Sequence, residues 1–352
     1  MTDPCLLANL LATAKNACLN PPAHSLEKPI KWAGITETPL QNTLSLPSPE
    51  ISPAEFSPLQ TPVLPDLKFL EPKSPFDNLQ PNRNPSLIPL SELNPDRPAP
   101  QEMAYYPSTN IRPKSGTQMF EQRMAALQAG KTYTRLAVDS FIKAWKNATE
   151  KPTYQDWKYL LKQEAKAISR GQGANQLNVL IGDSLSLWFP SERLPAGSLW
   201  LNQGISGDNT TGILQRINTL NQTNPHSIYL MAGINDLRQG ETDADILWNL
   251  RQIVRQLRQN HPQTRIILQS ILPTRFAAIP NSRIQKLNKQ LAMIAAEEQA
   301  SYLELERYFS DEQGNLRREL TTDGLHLNAR GYAVWEWALQ QTESWIASNE
   351  IF

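Results

Sequence analysis

Two short motifs carry the side chains that could act as a nucleophile and its base. Ser184 follows Gly182 and Asp183 at the end of an apolar run, and His326 follows Asp323 by three residues. A serine hydroxyl becomes a nucleophile when an imidazole removes its proton, and a nearby carboxylate fixes the tautomer of that imidazole. Taken alone, each motif is as well explained by a turn, because Ser, Asp and Gly are common turn residues.

Two further segments carry groups that could stabilise an oxyanion. Gly204 lies in the segment 202–208, and a glycine lets its backbone N–H approach a substrate oxygen closely. Asn235 follows Gly233, and its side-chain amide can donate a hydrogen bond to a developing negative charge. Ordinary turns explain both segments equally well, with Asp208 expected as the N-cap of the helix that follows.

The apolar pattern predicts the elements that must position these groups. Short apolar runs at 177–181, 198–205, 227–232, 265–272 and 302–309 alternate with helical patterns at 209–222, 243–259, 281–299 and 329–347. Such alternation predicts βαβ units and a parallel sheet covered by helices on both faces. Ligands of these sheets bind at the carboxyl ends of the strands, which is where Ser184, Gly204 and Asn235 are expected.

His326 is the histidine expected to reach the same edge of the sheet. The other three histidines are His24, His226 and His261. His24 lies in a Pro-rich segment, whereas His226 and His261 lie at the amino ends of predicted strands. Only His326, between the last predicted strand and the last predicted helix, can return to the carboxyl ends.

The order Ser184, Gly204, Asn235 and His326, together with the residues around them, resembles the SGNH (GDSL-type) hydrolase family. The resemblance covers roughly residues 176–347 and is nearest to bacterial lysophospholipase-like esterases and platelet-activating-factor acetylhydrolase catalytic subunits. It implies a three-layer α/β/α fold with a five-stranded parallel sheet, which is flavodoxin-like. It also implies Ser184 as nucleophile, His326 as base and Asp323 as its orienting group. The implied oxyanion hole comprises the Ser184 and Gly204 backbone amides and the Asn235 side chain, and no metal or organic cofactor is needed.

Three functions are compatible with this resemblance and with the rest of the chain. The first is an esterase acting on lysophospholipids or short acyl esters, and the second is a carbohydrate O-deacetylase. The third is a non-catalytic scaffold that acts through its Pro-rich segment. The α/β-hydrolase class is disfavoured, because its Gly-x-Ser-x-Gly motif would require glycine where this chain has Ser186. The apolar residues after the nucleophile are expected either to line an acyl pocket or to pack on the sheet; they are Leu185, Leu187, Trp188 and Phe189.

The N-terminal third of the chain differs in composition from the rest. Residues 1–113 contain 21 of the 28 prolines and a single glycine, Gly34. Proline fixes φ and removes an amide donor, so we predict a disordered, extended linker over 21–115. Residues 1–20 are predicted to form a short amphipathic helix. A helical preamble over 116–172 and a hydrolase domain over 173–352 complete the predicted organisation.

Composition excludes several other classes of protein. Lys plus Arg and Asp plus Glu each number 34, which argues against nucleic-acid binding by bulk charge. Two cysteines, Cys5 and Cys18, cannot make a disulfide framework or a Cys-rich zinc site. No apolar stretch approaches the roughly 18 residues of a membrane span, and no clear signal peptide is recognised. We therefore expect a cytoplasmic protein with a small-molecule or lipid ester substrate, and a protein partner is conceivable for the Pro-rich segment.

Overall fold

The computed structural model describes residues 111–132 and 136–349. The predicted N-terminal helix and nearly all of the Pro-rich linker lie outside the described residues, so both stay predictions. Within the described ranges, no helix combines the length and apolar character needed to cross a membrane.

The described residues contain a sheet of five parallel strands in the order β2-β1-β3-β4-β5. The strands are β1 (Leu177–Gly182), β2 (Leu199–Gly204), β3 (Ser227–Met231), β4 (Arg265–Gln269) and β5 (Ser301–Leu303). This order is the flavodoxin-like one, in which the chain moves outward from β1 in both directions. The predicted fold class is confirmed.

Helices cover both faces of this sheet. They are α1 (Gly116–Gln128), α2 (Ile142–Trp145), α3 (Tyr154–Gly171), α4 (Ser184–Leu187), α5 (Thr210–Arg216), α6 (Ile234–Gln239), α7 (Asp243–Asn260), α8 (Asn281–Glu297), α9 (Glu306–Phe309) and α10 (Ala329–Asn349). One face packs against α3, α5, α7 and α8, and the other packs against α4, α9 and α10. Because both faces are buried, the central strands are nearly continuous apolar runs rather than alternating ones.

The preamble packs against the end of β2 and against α4, the short helix that begins at the predicted nucleophile. Met119 of α1 and Trp157, Leu160 and Leu161 of α3 are buried in one apolar cluster with Leu187 of α4 and Ile205, which follows β2. The start of α3 is fixed by a capping box, in which Thr153 and Asp156 each bond the other's backbone amide. This part of the preamble therefore shares its core with α4 and with the turn after β2.

Three predicted elements differ from the structure. The helical preamble predicted over 116–172 is interrupted: between α1 and α3, the described residues contain only the single turn of α2, which begins after Phe141 in a left-handed conformation (φ 58°). The fifth strand ends at Leu303 instead of 309, because the Glu306 amide donates to Ser270 Oγ (2.7 Å) and turns the chain into α9. Asp208 does not cap α5; Asn209 is the N-cap, and its side chain accepts from the Gly212 amide.

Candidate active site

Ser184 is the first residue of the short helix α4, directly after β1. The strand ends at Gly182, where a Cβ would lie only 2.5 Å from the Met231 carbonyl oxygen, so the chain turns at a position that requires glycine. The Asp183 side chain then caps α4 by accepting from the Leu185 amide at 2.9 Å. Ser184 is 9% exposed, which leaves a small part of it accessible at the carboxyl end of β1.

Asp323 and His326 are joined directly within one loop. Asp323 Oδ2 and His326 Nδ1 are 2.7 Å apart, and the other carboxylate oxygen accepts from the His326 amide at 2.8 Å. A bridge between Thr321 and Leu327 closes the loop, and the Thr321 hydroxyl donates to the His326 carbonyl oxygen at 2.7 Å. The imidazole is thus held by its carboxylate on one nitrogen, with the other nitrogen left for a second partner.

The environment of Asp323 favours its ionised form. Partial burial acts to raise its pKa, but hydrogen bonds from the His326 side chain and from the His326 and Leu325 amides outweigh it. The pKa of this carboxyl therefore lies below its ordinary value. A carboxylate that stays ionised can stabilise a neighbouring imidazolium when it forms.

The loop of His326 returns to the carboxyl end of β1. The pKa of Asp183 is raised to about 7, mainly by burial and also by the charges of Asp208 and Asp236, whereas the hydrogen bond from the Leu185 amide and the charge of His326 act to lower it. The chain after His326 contacts the turn of Ser184 directly, since Tyr332 donates from its hydroxyl to the Leu185 carbonyl oxygen at 3.1 Å. No hydrogen bond joins the Ser184 hydroxyl to His326 in the part of the chain that the structure describes. Such contacts are often long in the absence of substrate.

Asn235 lies on α6, directly after β3, and its amide is oriented by the turn after β2. Asn235 Nδ2 donates to the Asp208 carbonyl oxygen at 2.9 Å, and Asn235 Oδ1 accepts from Arg238 at 3.1 Å. A primary amide has two N–H groups, so one remains for a ligand. Asp208 and Arg216 form a buried ion pair at 2.7 Å, and Arg216 also donates to the Gly182 carbonyl oxygen at 3.2 Å. These contacts connect the ends of β1, β2 and β3.

The backbone amide of Gly204 is already occupied. It donates to Asn202 Oδ1 at 2.9 Å, and a Cβ at this position would lie 2.4 Å from the Leu187 amide nitrogen. Gly204 is therefore required for the close approach of β2 to α4. The amide of Gly207, three residues later, has no hydrogen-bond acceptor among the described residues, and Gly207 is exposed with φ at 81°.

The residues after Ser184 mainly pack in the interior. Leu185 and Phe189 are buried against α10, and Leu187 is buried against the preamble. Trp188 is only partly buried and contacts both clusters. Of the four residues considered for an acyl pocket, Trp188 is the one with surface left to offer a substrate.

The fold and these positions define a three-layer α/β protein with a serine-containing site at the carboxyl ends of its strands. Residues 168–334 match the model of the GDSL-like Lipase/Acylhydrolase family. The matched segment includes all the motifs on which the predicted resemblance to this family rests, from Ser184 to His326. Among the described residues, no group of His, Cys, Asp or Glu could hold a metal ion.

Individual relatives cover smaller parts of the chain. Platelet-activating factor acetylhydrolase IB subunit alpha1 of Pongo abelii is 28% identical over 139 residues, which are 38% of this chain and 58% of that protein. N-acylneuraminate cytidylyltransferase of Escherichia coli O18:K1:H7 is 30% identical over 112 residues, 31% of this chain but only 26% of that protein. A GDSL-like lipase structure from Bacteroides thetaiotaomicron has 19% identity and a TM-score of 0.43, covering 52% of this chain and 97% of that one.

Sequence reasoning missed three contributors to this site. Gly207 was not predicted as an oxyanion donor, because Gly204 lies nearer to the end of the predicted strand. Asp208 was assigned to a helix cap, and its pairing with Arg216, eight residues later, was not foreseen. Tyr154 donates to Asp208 Oδ1 at 3.1 Å from the distant start of α3, and no local pattern signals this contact.

Proposed function

We propose that the protein is a serine esterase that hydrolyses carboxylic esters through Ser184, His326 and Asp323. The observation that carries the proposal is the Asp323–His326 contact of 2.7 Å, in a loop that leads into α10, where the Tyr332 hydroxyl donates to the Leu185 carbonyl oxygen next to Ser184. The family match of residues 168–334, to lipases and acylhydrolases, supports the same reaction class. The chain spans 58% of the length of the first platelet-activating factor acetylhydrolase relative, so the activity is inferred from the site as well.

Acylation begins when His326 removes the proton from the Ser184 hydroxyl. The serine oxygen attacks the ester carbonyl, and the carbonyl oxygen becomes a tetrahedral oxyanion. Asp323 accepts from His326 Nδ1 and stabilises the imidazolium. His326 then donates its proton to the departing alcohol oxygen, which leaves an acyl group on Ser184.

Amide donors near Ser184 stabilise the oxyanion. The Ser184 backbone N–H and the second N–H of Asn235 are two of them. As the third donor we propose the Gly207 backbone amide instead of the Gly204 amide that the sequence predicted. The Gly204 amide already donates to Asn202, whereas the Gly207 amide has no acceptor in the described ranges. Loss of one donor of this kind costs about 3 kcal/mol of transition-state stabilisation.

Deacylation repeats these steps with water. His326 takes a proton from a water molecule, which attacks the acyl carbonyl, and the proton passes to the Ser184 oxygen as the acid departs. The overall reaction consumes one ester and one water and yields one acid and one alcohol. Ser184 as nucleophile, His326 as proton carrier and one water molecule therefore account for every bond made and broken in the cycle.

A lysophospholipid or a short acyl ester is the substrate class we favour. Trp188 supplies a partly exposed apolar surface next to α4, whereas its apolar neighbours are buried. The first relative is named a platelet-activating factor acetylhydrolase, which is consistent with a short acyl group. A panel of p-nitrophenyl esters of increasing chain length, compared with acetylated sugars, tests this choice. Preference for acetyl groups on sugars would instead indicate a carbohydrate O-deacetylase.

Covalent labelling of the full chain tests the reaction itself. A fluorophosphonate probe should label the wild type and the Ser186→Ala variant, and labelling should be absent from Ser184→Ala. Ser186 is a matched control, because it is a buried serine on the same helix. A folded wild type that neither labels nor hydrolyses any ester of the panel would refute the esterase proposal and favour a scaffold function.

A further inference from the structure

A residue outside the segment that matches the family model contacts the turn after β2. Tyr154, the first residue of α3, donates from its hydroxyl to Asp208 Oδ1 at 3.1 Å. Tyr154 lies 14 residues before the segment 168–334 that matches the family model. The contact therefore joins the preamble to the turn that contains Gly207.

Asp208 is a branching point of the contacts around the site. It is 6% exposed, and its Oδ2 accepts from Arg216 Nε at 2.7 Å. Its backbone carbonyl oxygen accepts from the Asn235 side-chain amide at 2.9 Å. The contacts of its side chain thus fix the position of Asp208. The Asp208 carbonyl oxygen orients one proposed oxyanion donor, the Asn235 side chain, and the residue directly before Asp208 is another, Gly207.

The Asp208 carboxylate and the Tyr154 hydroxyl pack directly against Gly212, although Tyr154 as a whole is 37% exposed. A Cβ on Gly212 would lie 2.0 Å from Asp208 Oδ1 and 2.8 Å from the Tyr154 hydroxyl oxygen. Neither group can therefore shift toward α5. If the tyrosine hydroxyl were absent, Asp208 Oδ1 would lose its partner in a buried position, and a buried acceptor without a donor is unfavourable.

We propose that Tyr154 is a positioning residue that holds Asp208, and through it the Gly207 amide and the Asn235 side chain, in the geometry that stabilises the oxyanion. Tyr154 acts through Asp208 and contacts no reacting atom. This inference rests on the proposed esterase function and deepens it, because it assigns the preamble a part in transition-state stabilisation.

The protonation state of Tyr154 is consistent with this role. Burial, followed by the charge of Asp208, raises the pKa of Tyr154 to about 12. The hydroxyl therefore keeps its proton and remains a donor to Asp208 at any pH used for an esterase assay.

Tyr154→Phe in the full chain tests the inference, with Tyr159→Phe as its matched control. Tyr159 is on the same helix and is 57% exposed. The expected result is a decrease in kcat of about tenfold for Tyr154→Phe, the size of effect when one hydrogen bond to a charged group is lost, with KM within about twofold of wild type. Complete labelling of Ser184 by the fluorophosphonate should persist in both variants, because the nucleophile itself is unchanged.

Gly212→Ala displaces the same pair of groups from the opposite side. It should lower kcat as Tyr154→Phe does, and the double variant should be no worse than the more severe single one, because both changes act on Asp208. A Tyr154→Phe enzyme with the kcat of Tyr159→Phe, or with an altered KM alone, would overturn the inference while leaving the esterase intact. A wild type without labelling or hydrolysis would instead overturn the proposed function, and the inference with it.

Discussion

Arg123 and Glu164 form a fully buried ion pair between the two long helices of the preamble. Arg123 Nε donates to Glu164 Oε1 at 3.0 Å, and a second guanidinium nitrogen donates to the Asn202 carbonyl oxygen of β2 at 2.9 Å. The two side chains are 0% and 2% exposed. One arginine therefore links α1, α3 and the edge strand of the sheet, which makes the preamble part of the folded unit that contains the site.

Removing either partner of this pair should be strongly destabilising. Glu164→Gln or Arg123→Met leaves a buried group without its counter-charge, for which we expect a loss of about 3 to 5 kcal/mol in the free energy of unfolding. Urea denaturation measures it. Glu319→Gln, which breaks an exposed pair with Arg317, is the control and should cost less than about 1 kcal/mol. Equal effects at the two sites would show that the buried pair is not a structural requirement.

Truncation should separate the Pro-rich segment from the preamble. A chain that begins at residue 112 should fold and hydrolyse esters as the full chain does, because the composition of residues 1–111 offers little to pack. A chain that begins at residue 173 should be poorly expressed or unstable, because it exposes Leu187, Ile205 and the surface beneath Arg123. Thermal melting and specific activity of both proteins measure this. An active, stable chain from residue 173 would contradict the shared core.

Asp323→Asn should impair catalysis without unfolding the protein. The asparagine oxygen can still accept from the backbone amides of the loop, but the charge that stabilises the imidazolium is lost, so we expect kcat to fall about 10³- to 10⁴-fold. Asp311→Asn is a matched control, because Asp311 also accepts from backbone amides in a nearby loop. Retention of more than a tenth of the wild-type kcat in Asp323→Asn would remove Asp323 from the proposed triad.

Asp183 should make stability decrease toward alkaline pH. Burial is the main reason that the pKa of Asp183 is raised to about 7 from its ordinary value of 3.8. A group with a raised pKa contributes its full stability below the ordinary value and loses it as the pH rises through about 7. Asparagine does not titrate, so the Asp183→Asn variant does not lose this stability. The free energy of unfolding of the variant minus that of the wild type should therefore be roughly 2 to 3 kcal/mol larger at pH 8 than at pH 5.

Urea denaturation of both proteins at several pH values measures this difference. Asp139→Asn, which removes one exposed carboxyl, controls for the change in net charge. If the difference between Asp183→Asn and wild type is the same at pH 5 and pH 8, the buried carboxyl does not titrate in this range.

The two glycines after β2 should respond differently to alanine. Gly204→Ala places a Cβ 2.4 Å from a backbone nitrogen of α4, so we expect loss of folded protein. Gly207 has open space around it, and alanine there costs only the strain of a positive φ, about 1 to 2 kcal/mol. Solubility and thermal melting distinguish these outcomes. A stable Gly204→Ala protein would show that the tight approach of β2 to α4 can relax.

The sequence predicted the architecture well, because the strands are apolar runs buried on both faces and their order of appearance fits one common topology. It also predicted which motif follows which strand. It could not predict which glycine has a free amide, since that depends on the Asn202 side chain folding back onto Gly204. The sequence also could not predict that Asn209, and not Asp208, is the N-cap of α5. The Asp208 side chain instead forms a buried ion pair with Arg216.

The closed loop between Thr321 and Leu327 has a mechanical consequence. Because the acid and the base are neighbours within one hydrogen-bonded hairpin, we expect motion of the sheet or of α10 to move them together. The distance within the pair should therefore vary less than the distance from the pair to Ser184. Evolution could therefore retune the reach of the pair by changing what anchors the hairpin, such as the Arg275 amide on the Gly324 carbonyl, without rebuilding the pair itself.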